Sequence, residues 1–220
     1  MRKLTGAVFL SLDGVMQAPG GPDEDPSSGF RFGGWVQPLW DADMGPFEDV
    51  IMGDYDLLLG KRTYDIFAAY WPFNQDNPIG EKFQRITKYV LTHSDEPLEW
   101  EHSRKLTGDT ADSVAELKRS EGPDLLIQGS STLYPELLSA RLIDRLILMT
   151  FPVLLGRGKR IFDGTEKAGA LKLVDHFVTK TGVVLTSFEP AGDVRTGTFE
   201  TKEPSAAELE RREKWAGEEA

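Results

Sequence analysis

The sequence predicts an α/β fold with a mixed, mainly parallel sheet, helices on both faces and an antiparallel hairpin at the C-terminal edge. Two observations lead to this prediction. Short apolar runs alternate with helical patterns between residues 3 and 138, as in parallel strands connected by helices. After Ala140, three apolar segments follow one another, and a Lys180-Thr181-Gly182 turn joins the last two as a hairpin.

The individual elements follow from hydrophobic periodicity and turn residues. A first strand is expected at 3–12, because its apolar run ends at Asp13-Gly14. We then expect a helix at 43–53, a strand at 56–60, a helix at 61–70, strands at 88–91 and 100–106, a helix at 112–120, and a strand followed by a helix within 124–138. The last strands lie within 142–155, 170–182 and 183–190. Pro204-Ser205, with Glu208 three residues on, predicts a capped surface helix within 203–217.

Length, charge and cysteine content narrow the class of protein. A chain of 220 residues allows one sizeable core, so we expect a single domain at 1–190 and an extension with a charged helix at 191–220.

The net charge of -11 argues against nucleic-acid binding, since phosphate backbones require clustered Lys and Arg. No cysteine is present, and no apolar run approaches the roughly 20 residues that cross a bilayer. We therefore expect a cytoplasmic protein without a membrane segment.

Glycines and hydroxyl residues follow the predicted strands at the edge where open α/β sheets bind ligands. The strand ends carry Ser11-Leu12-Asp13-Gly14, Gly60-Lys61-Arg62-Thr63, Thr92-His93-Ser94 and Gly129-Ser130-Ser131-Thr132. In the last of these a helix begins directly after the turn, and a helix N-terminus favours a phosphate. Turns and helix caps use the same residue types, so this plainer interpretation stays open.

Lys61 and Arg62 lie at the start of a predicted helix, where cations oppose the helix dipole. A bound anion would compensate for this arrangement. The guanidinium group of Arg62 can donate two hydrogen bonds to one phosphate. Such a contact would distinguish a cofactor with a 2′-phosphate from one without it. The alternative is a solvated basic pair.

No catalytic base stands out from the sequence. His93, His102 and His176 lack metal-binding spacing, so we expect no metal. Neither the Gly-x-Ser-x-Gly elbow of hydrolases nor the phosphate-binding loop of nucleotide triphosphatases is present. Asp13, after the first strand, is the first candidate to relay a proton. Asp43, on the next helix, is the second, and an ordinary surface charge is the alternative for it.

Five motifs in order resemble a known family: SLDGV, LLLGKRTYDIF, KYVLTHS, DLLIQGSSTLYPELL and LIDRLILMTFPVLLGRGKRIF. Together they are similar to the reductase domain of the bacterial bifunctional riboflavin-biosynthesis deaminase-reductase, which has the dihydrofolate reductase fold. The resemblance implies that NADPH lies across the carboxyl edge of the sheet and gives a hydride to a small heterocycle, as in 5-amino-6-(5-phosphoribosylamino)uracil reductase. It also implies a homodimer formed through the antiparallel edge. The apolar run 146–155 is either that edge or a central strand.

The resemblance further implies roles for individual residues. The pyrophosphate would lie on Gly129, Ser130, Ser131 and Thr132, with Leu133 beside it, and the adenosine phosphate side along Gly60, Lys61, Arg62 and Thr63. The adenine ribose would lie between Thr92, His93 and Ser94, and the nicotinamide against Ala7, Leu12, Asp13 and Gly14. The long loop at 17–34, which continues into Trp35, would cover the substrate with Phe32, Gly34 and Trp35.

The chain departs from the family pattern in two respects. Asp43 lies one residue away from the acidic residue that protonates the pterin in dihydrofolate reductases, and no deaminase domain is present. A second interpretation, supported by the absence of an unmistakable catalytic acid or base, is a catalytically silent nucleotide-binding sensor with the same cleft, which would bind NADPH without oxidising it. A third, a structural or interaction protein, predicts no nucleotide binding.

Overall fold

The computed structural model of the protein describes residues 1–41, 44–199 and 202–217. Eight strands form one sheet: β1 Leu4–Ser11, β2 Tyr55–Gly60, β3 Lys88–Leu91, β4 Ser103–Leu106, β5 Asp124–Gln128, β6 Arg145–Phe151, β7 Leu171–Val178 and β8 Val184–Pro190. The helices are α1 Pro46–Met52, α2 Lys61–Tyr70, α3 Pro78–Arg85, α4 Thr110–Arg119, α5 Leu133–Ser139 and α6 Ala206–Ala216. Short 3₁₀ turns lie at Ser27–Gly29, Gln37–Leu39 and Trp71–Phe73.

The sheet has the strand order β4-β3-β2-β5-β1-β6-β8-β7. The pairs from β4 to β6 are parallel, whereas β8 is antiparallel to both β6 and β7. This confirms the predicted mixed sheet with an antiparallel hairpin at its C-terminal edge. Because β6 lies between β1 and β8, the apolar run that begins at Leu146 starts in a central strand, and β7 is the edge.

Each face of the sheet carries its own core, because alternate residues of β1 point to opposite faces. The first core joins Ala7 and Leu57 to the buried side chains of three helices, namely Phe47 of α1, Tyr64 of α2 and Phe83 of α3. The second core joins Leu4, Val8 and Leu10 to Val114 and Leu117 of α4 and Leu133 and Leu137 of α5. The helices therefore cover both faces, as predicted.

Helix α3 is the element that the sequence pattern does not reveal, since we expected a loop there. The Asn77 side chain caps this helix by accepting the N–H of Ile79 at 2.9 Å, and Pro78 fits the first helical position. Its short length and the few apolar residues along it hide the helical period. Asn77 followed by Pro78 is the helix-start signal that could have located the element, and Phe83 then anchors it in the first core.

Two predicted helices keep their place with adjusted bounds. Helix α1 begins at Pro46, and residue 43, where we expected its start, lies outside the described residues. Helix α6 has the predicted cap, in which Ser205 Oγ accepts the N–H of Glu208 at 3.3 Å, and none of its residues is buried. Within the described ranges, no helix is both long enough and apolar enough to cross a membrane.

Candidate functional site

The residues that follow β2 and β5 meet at the carboxyl edge of the sheet, because these two strands are parallel neighbours. The Ser130 hydroxyl lies between them. It accepts the Gly60 N–H at 2.7 Å and donates to Thr63 Oγ1 at 2.9 Å. The two motifs Gly60–Thr63 and Gly129–Thr132 therefore form one connected unit, as expected for strand ends at one edge.

Glycine is required on both sides of this contact. Gly129 has φ +88°, and a Cβ there would lie 3.0 Å from Thr63 Cγ2. A Cβ on Gly60 would lie 2.9 Å from Ser130 Oγ. The glycines thus allow the backbone after β2 and the backbone after β5 to approach each other. The Ser130 hydroxyl holds these two segments together by its hydrogen bonds.

Two helices begin at this connected unit. Helix α2 starts directly after Gly60, and α5 starts directly after Thr132. Neither N-cap residue makes a side-chain hydrogen bond to its helix. The first N–H groups of a helix carry partial positive charge and suit anionic groups, although at α5 the Leu133 N–H donates to the Ser130 carbonyl at 3.0 Å and Pro135 has no N–H.

Lys61 and Arg62 point to opposite sides of the edge. Lys61 Nζ lies 2.8 Å from Asp65 Oδ1 and 3.2 Å from Glu96 Oε2, in the loop that follows Ser94. Hydrogen bonding to Asp65 raises the pKa of Lys61. Arg62 Nη1 instead lies 3.1 Å from Asp25 Oδ1, on the side of β1 and β6. The two cations therefore pair with carboxylates of two different loops, and the Arg62 side chain remains 62% exposed.

Asp13 is fixed by hydrogen bonds to the loop that follows β6. Its carboxylate accepts Ser11 Oγ–H at 2.7 Å and the N–H groups of Leu155 and Gly156 at 3.1 and 2.8 Å. The hydrogen bond from Ser11, together with those from the backbone, lowers the pKa of Asp13 to about 2 against the opposing effect of burial. The carboxylate is thus ionised at neutral pH, which suits an anchor better than a proton donor. Asp43 lies outside the described residues.

The expected substrate residues do not share one surface. Trp35 is buried against Phe151, with ring centroids 5.4 Å apart, and its indole N–H donates to the Gln17 carbonyl at 2.9 Å. Phe32, by contrast, is 56% exposed. Gly34 has φ +80° and its N–H donates to the Ala18 carbonyl, so it belongs to the internal bonding of the loop.

The other expected cofactor residues differ in accessibility. Ala7 and Leu133 are buried in the two cores, and Thr92 is buried with its Oγ1 accepting the Ser94 N–H at 3.0 Å. Those that are open to solvent, fully or in part, are Leu12, Gly14, His93, Ser94, Ser131 and Thr132. The second group therefore comprises the residues that a ligand can contact at the surface of this edge.

Asp25 and Lys159 are the site residues that the sequence did not reveal. Asp25 Oδ2 lies 2.5 Å from Lys159 Nζ, although the two residues are 134 positions apart. Asp25 belongs to an acidic stretch in which its neighbours Asp23 and Glu24 look equivalent. Nothing in periodicity or spacing distinguishes it, because its partner lies in a distant loop.

Comparison with known proteins identifies the family. The family model of the RibD C-terminal domain matches residues 2–185. The uncharacterized protein YyaP of Bacillus subtilis (strain 168) is 26% identical over 187 residues, covering 83% of this chain and 92% of that protein.

Solved structures agree on the fold. A protein of Shewanella sp. PV-4 described as a riboflavin biosynthesis protein has a TM-score of 0.61 at 22% identity, covering 87% of this chain and 99% of that chain. Dihydrofolate reductase of Enterococcus faecalis, complexed with NADP(H), has a TM-score of 0.54 at 16% identity, covering 86% of this chain and 96% of that chain. Because the family match reaches from the start of β1 into β8, the chain belongs to the RibD C-terminal domain family and has the dihydrofolate reductase-like fold.

Proposed function

We propose that the protein is an NADPH-dependent reductase that transfers a hydride to a small heterocyclic substrate. The observation that carries this proposal is the connected unit at the carboxyl edge, where α2 and α5 both begin without a side-chain cap. A dinucleotide needs such a place for its pyrophosphate. The complex of enterococcal dihydrofolate reductase with NADP(H), which shares the fold, supports the choice of cofactor.

The residues present fit this cofactor. Gly60 and Gly129 let Ser130 and Thr63 hold the two strand ends together, so the starts of α2 and α5 lie at one edge, where we place the pyrophosphate. Lys61 reaches Glu96, close to Thr92–Ser94, where the adenine ribose is expected. We therefore assign recognition of the 2′-phosphate to Lys61 rather than to Arg62. This assignment revises the expectation from the sequence.

When bound, the nicotinamide supplies the hydride, and the chain supplies orientation and exclusion of water. Ala7, Leu12 and Gly14 border the nicotinamide position, and the loop that contains Phe32 and Trp35 covers the substrate. We assign Asp13 an anchoring role, because it stays ionised and holds the backbone of Leu155 and Gly156.

The proton donor is then a different group from Asp13, and Asp43 remains the candidate. The substrate class follows from the family resemblance: a pyrimidine such as 5-amino-6-(5-phosphoribosylamino)uracil, or a related compound. A screen of reducible pyrimidines and pterins would identify it by loss of NADPH absorbance.

Calorimetric titration with NADPH and NADH tests the cofactor site. We expect the wild type to bind NADPH more tightly than NADH. Lys61→Ala should weaken NADPH binding by the roughly 1.5–3 kcal/mol of a lost charged hydrogen bond and leave NADH little affected. Arg62→Ala is the matched control, and it should not change the preference for NADPH.

The titrations also separate the competing interpretations. No binding of either nucleotide would rule out the reductase and leave the connected unit as an ordinary turn with helix caps. Binding of NADPH with no oxidation across the substrate screen would favour the catalytically silent sensor.

A further inference from the structure

Asp25 connects three segments that are far apart in the sequence. It lies in the long loop, and its side chain is only 10% exposed. Its Oδ1 accepts Arg62 Nη1–H from α2 at 3.1 Å and the Ser27 N–H at 3.2 Å. Its Oδ2 accepts Lys159 Nζ–H from the loop after β6 at 2.5 Å. One carboxylate thus bridges from the β6 side to the start of α2.

Gln17 reinforces this connection from the other end of the loop. Its side chain is buried, its Nε2 donates to the Asp25 carbonyl at 2.9 Å, and its Oε1 accepts the Lys159 N–H at 3.1 Å. The Gln17 carbonyl also accepts the Trp35 indole N–H. Residues 15–36, which we term the covering loop, are therefore tied internally by Gln17; Gln17 and Asp25 both tie the loop to Lys159, and Asp25 also ties it to α2.

The charges favour closure of the covering loop. Burying a carboxylate costs free energy unless a cation pairs with it. Asp25 is paired with Arg62 and Lys159 when the covering loop lies against the edge. Burial raises the pKa of Asp25, but hydrogen bonds from Lys159 and Ser27 outweigh this effect and lower it to about 2. The carboxylate is therefore charged at neutral pH.

We propose that Asp25 is the positioning residue of a lid: its carboxylate holds the covering loop closed over the carboxyl edge, and ligand exchange there requires it to leave Lys159 and Arg62. The contacts of Asp25 carry the lid itself, whereas its role in ligand exchange rests on the proposed function. Arg62 then serves the lid and Lys61 serves the ligand, which accounts for their opposite directions.

Trypsin provides a direct probe of the lid, because Arg31 is the only Lys or Arg between Lys3 and Lys61. A protease needs several residues of extended chain, so cleavage after Arg31 reports opening of the covering loop. We expect Asp25→Asn to accelerate appearance of the peptide ending at Arg31 at least tenfold, measured by mass spectrometry. Asp23→Asn, an exposed neighbour in the same loop, should cleave at the wild-type rate.

A double-mutant cycle distinguishes the loss of the Asp25–Lys159 contact from a general loss of stability. Lys159→Met should also accelerate cleavage, and the double variant should cleave no faster than Asp25→Asn, because both changes break the same bond. Urea midpoints measured in parallel should stay close to that of the wild type. If Asp25→Asn is cleaved at the wild-type rate, the lid does not exist. The same holds if the two substitutions multiply each other's effect on the cleavage rate.

Stopped-flow measurement with NADPH then connects the lid to the site. Asp25→Asn should raise the association and dissociation rates of NADPH together, since both require an open lid. Unchanged rates would contradict the role in ligand exchange. If the wild type binds no NADPH, the proposed function fails, while the cleavage experiment still decides whether the lid exists.

Discussion

Cations occur at both ends of the parallel sheet, and the two ends use them differently. At the amino end of the strands, Arg2, Lys82, Lys88 and Lys118 are buried. At the carboxyl end, the side chains of Lys61, Arg62 and Lys159 are 25%, 62% and 31% exposed. The same residue types thus stabilise the fold at one end and remain accessible at the other.

The buried cations of the amino end bind partners within the fold. Arg2 lies 2.6 Å from Asp56, and Lys118 lies 2.5 Å from Asp144. The main chain accepts the others: Lys88 Nζ donates to the Phe83 carbonyl and Lys82 Nζ to the Ile51 carbonyl, both at 2.9 Å. These bonds connect strands and helices, so this end of the sheet serves stability.

The partners at the carboxyl end lie in loops instead. Lys61 pairs with Glu96, and Asp25 holds both Arg62 and Lys159. Glu96 is 73% exposed and Asp25 only 10%, so it is the Lys61–Glu96 pair that contributes little to stability and can give way to a competing anion. Burial, and not residue type, therefore decides which cations of this acidic chain are available to an anionic ligand.

The largest effect is expected at Arg2. Arg2→Met leaves the Asp56 carboxylate buried without its ion partner, so the free energy of unfolding should fall by about 3–5 kcal/mol. Urea denaturation measures this change. Lys3→Met, an exposed neighbour, is the control and should change stability by less than about 0.5 kcal/mol. An equally small effect of Arg2→Met would show that the buried cations of the amino end do not serve stability.

An intermediate, pH-dependent effect is expected at Lys88. Burial lowers the pKa of this side chain from 10.5 to about 8, with Glu101 and Asp56 opposing. Between these values the unfolded chain binds more protons than the folded one, so the contribution of Lys88 to stability rises with pH. Relative to Lys88→Met, the free energy of unfolding of the wild type should rise by about 2 kcal/mol between pH 7.5 and 9.5.

Urea titrations of both proteins at each pH measure that difference. A difference that stays flat across this range would show that Lys88 is not desolvated, and the amino end would then resemble the carboxyl end.

The smallest effect is expected at Arg62. Arg62→Ala removes a largely exposed side chain, and Asp25 keeps Lys159 as its partner, so the free energy of unfolding should change by less than about 1 kcal/mol. The same urea titration applies. A loss as large as that of Arg2→Met would mean that the carboxyl end also serves mainly stability.

The sequence predicts the strands and most helices because these elements depend on residues that are close together in the sequence. The bounds 61–70 and 88–91 match α2 and β3, since apolar periodicity and glycine mark them directly. Pairings between distant segments leave no such mark. The ion pair of Asp25 with Lys159 depends on how two loops meet, and Arg2 and Lys88 look like surface charges until packing buries them.

The candidate site shows the same division. That Gly60–Thr63 and Gly129–Thr132 share an edge follows from strand order, and the structure joins them through Ser130. The directions of Lys61 and Arg62 do not follow from sequence, because they depend on acids in two different loops. Local pattern therefore locates the edge, and tertiary contacts decide how its charges are used.

Hydrogen–deuterium exchange with and without NADPH locates the nucleotide on the chain and so tests for a cofactor site at the carboxyl edge. We predict slower exchange in peptides that contain residues 60–63, 92–94 and 129–133, and unchanged exchange in the β7–β8 hairpin at 171–190. Protection confined to the hairpin, or no protection in any segment at saturating NADPH, would contradict a cofactor site at the carboxyl edge.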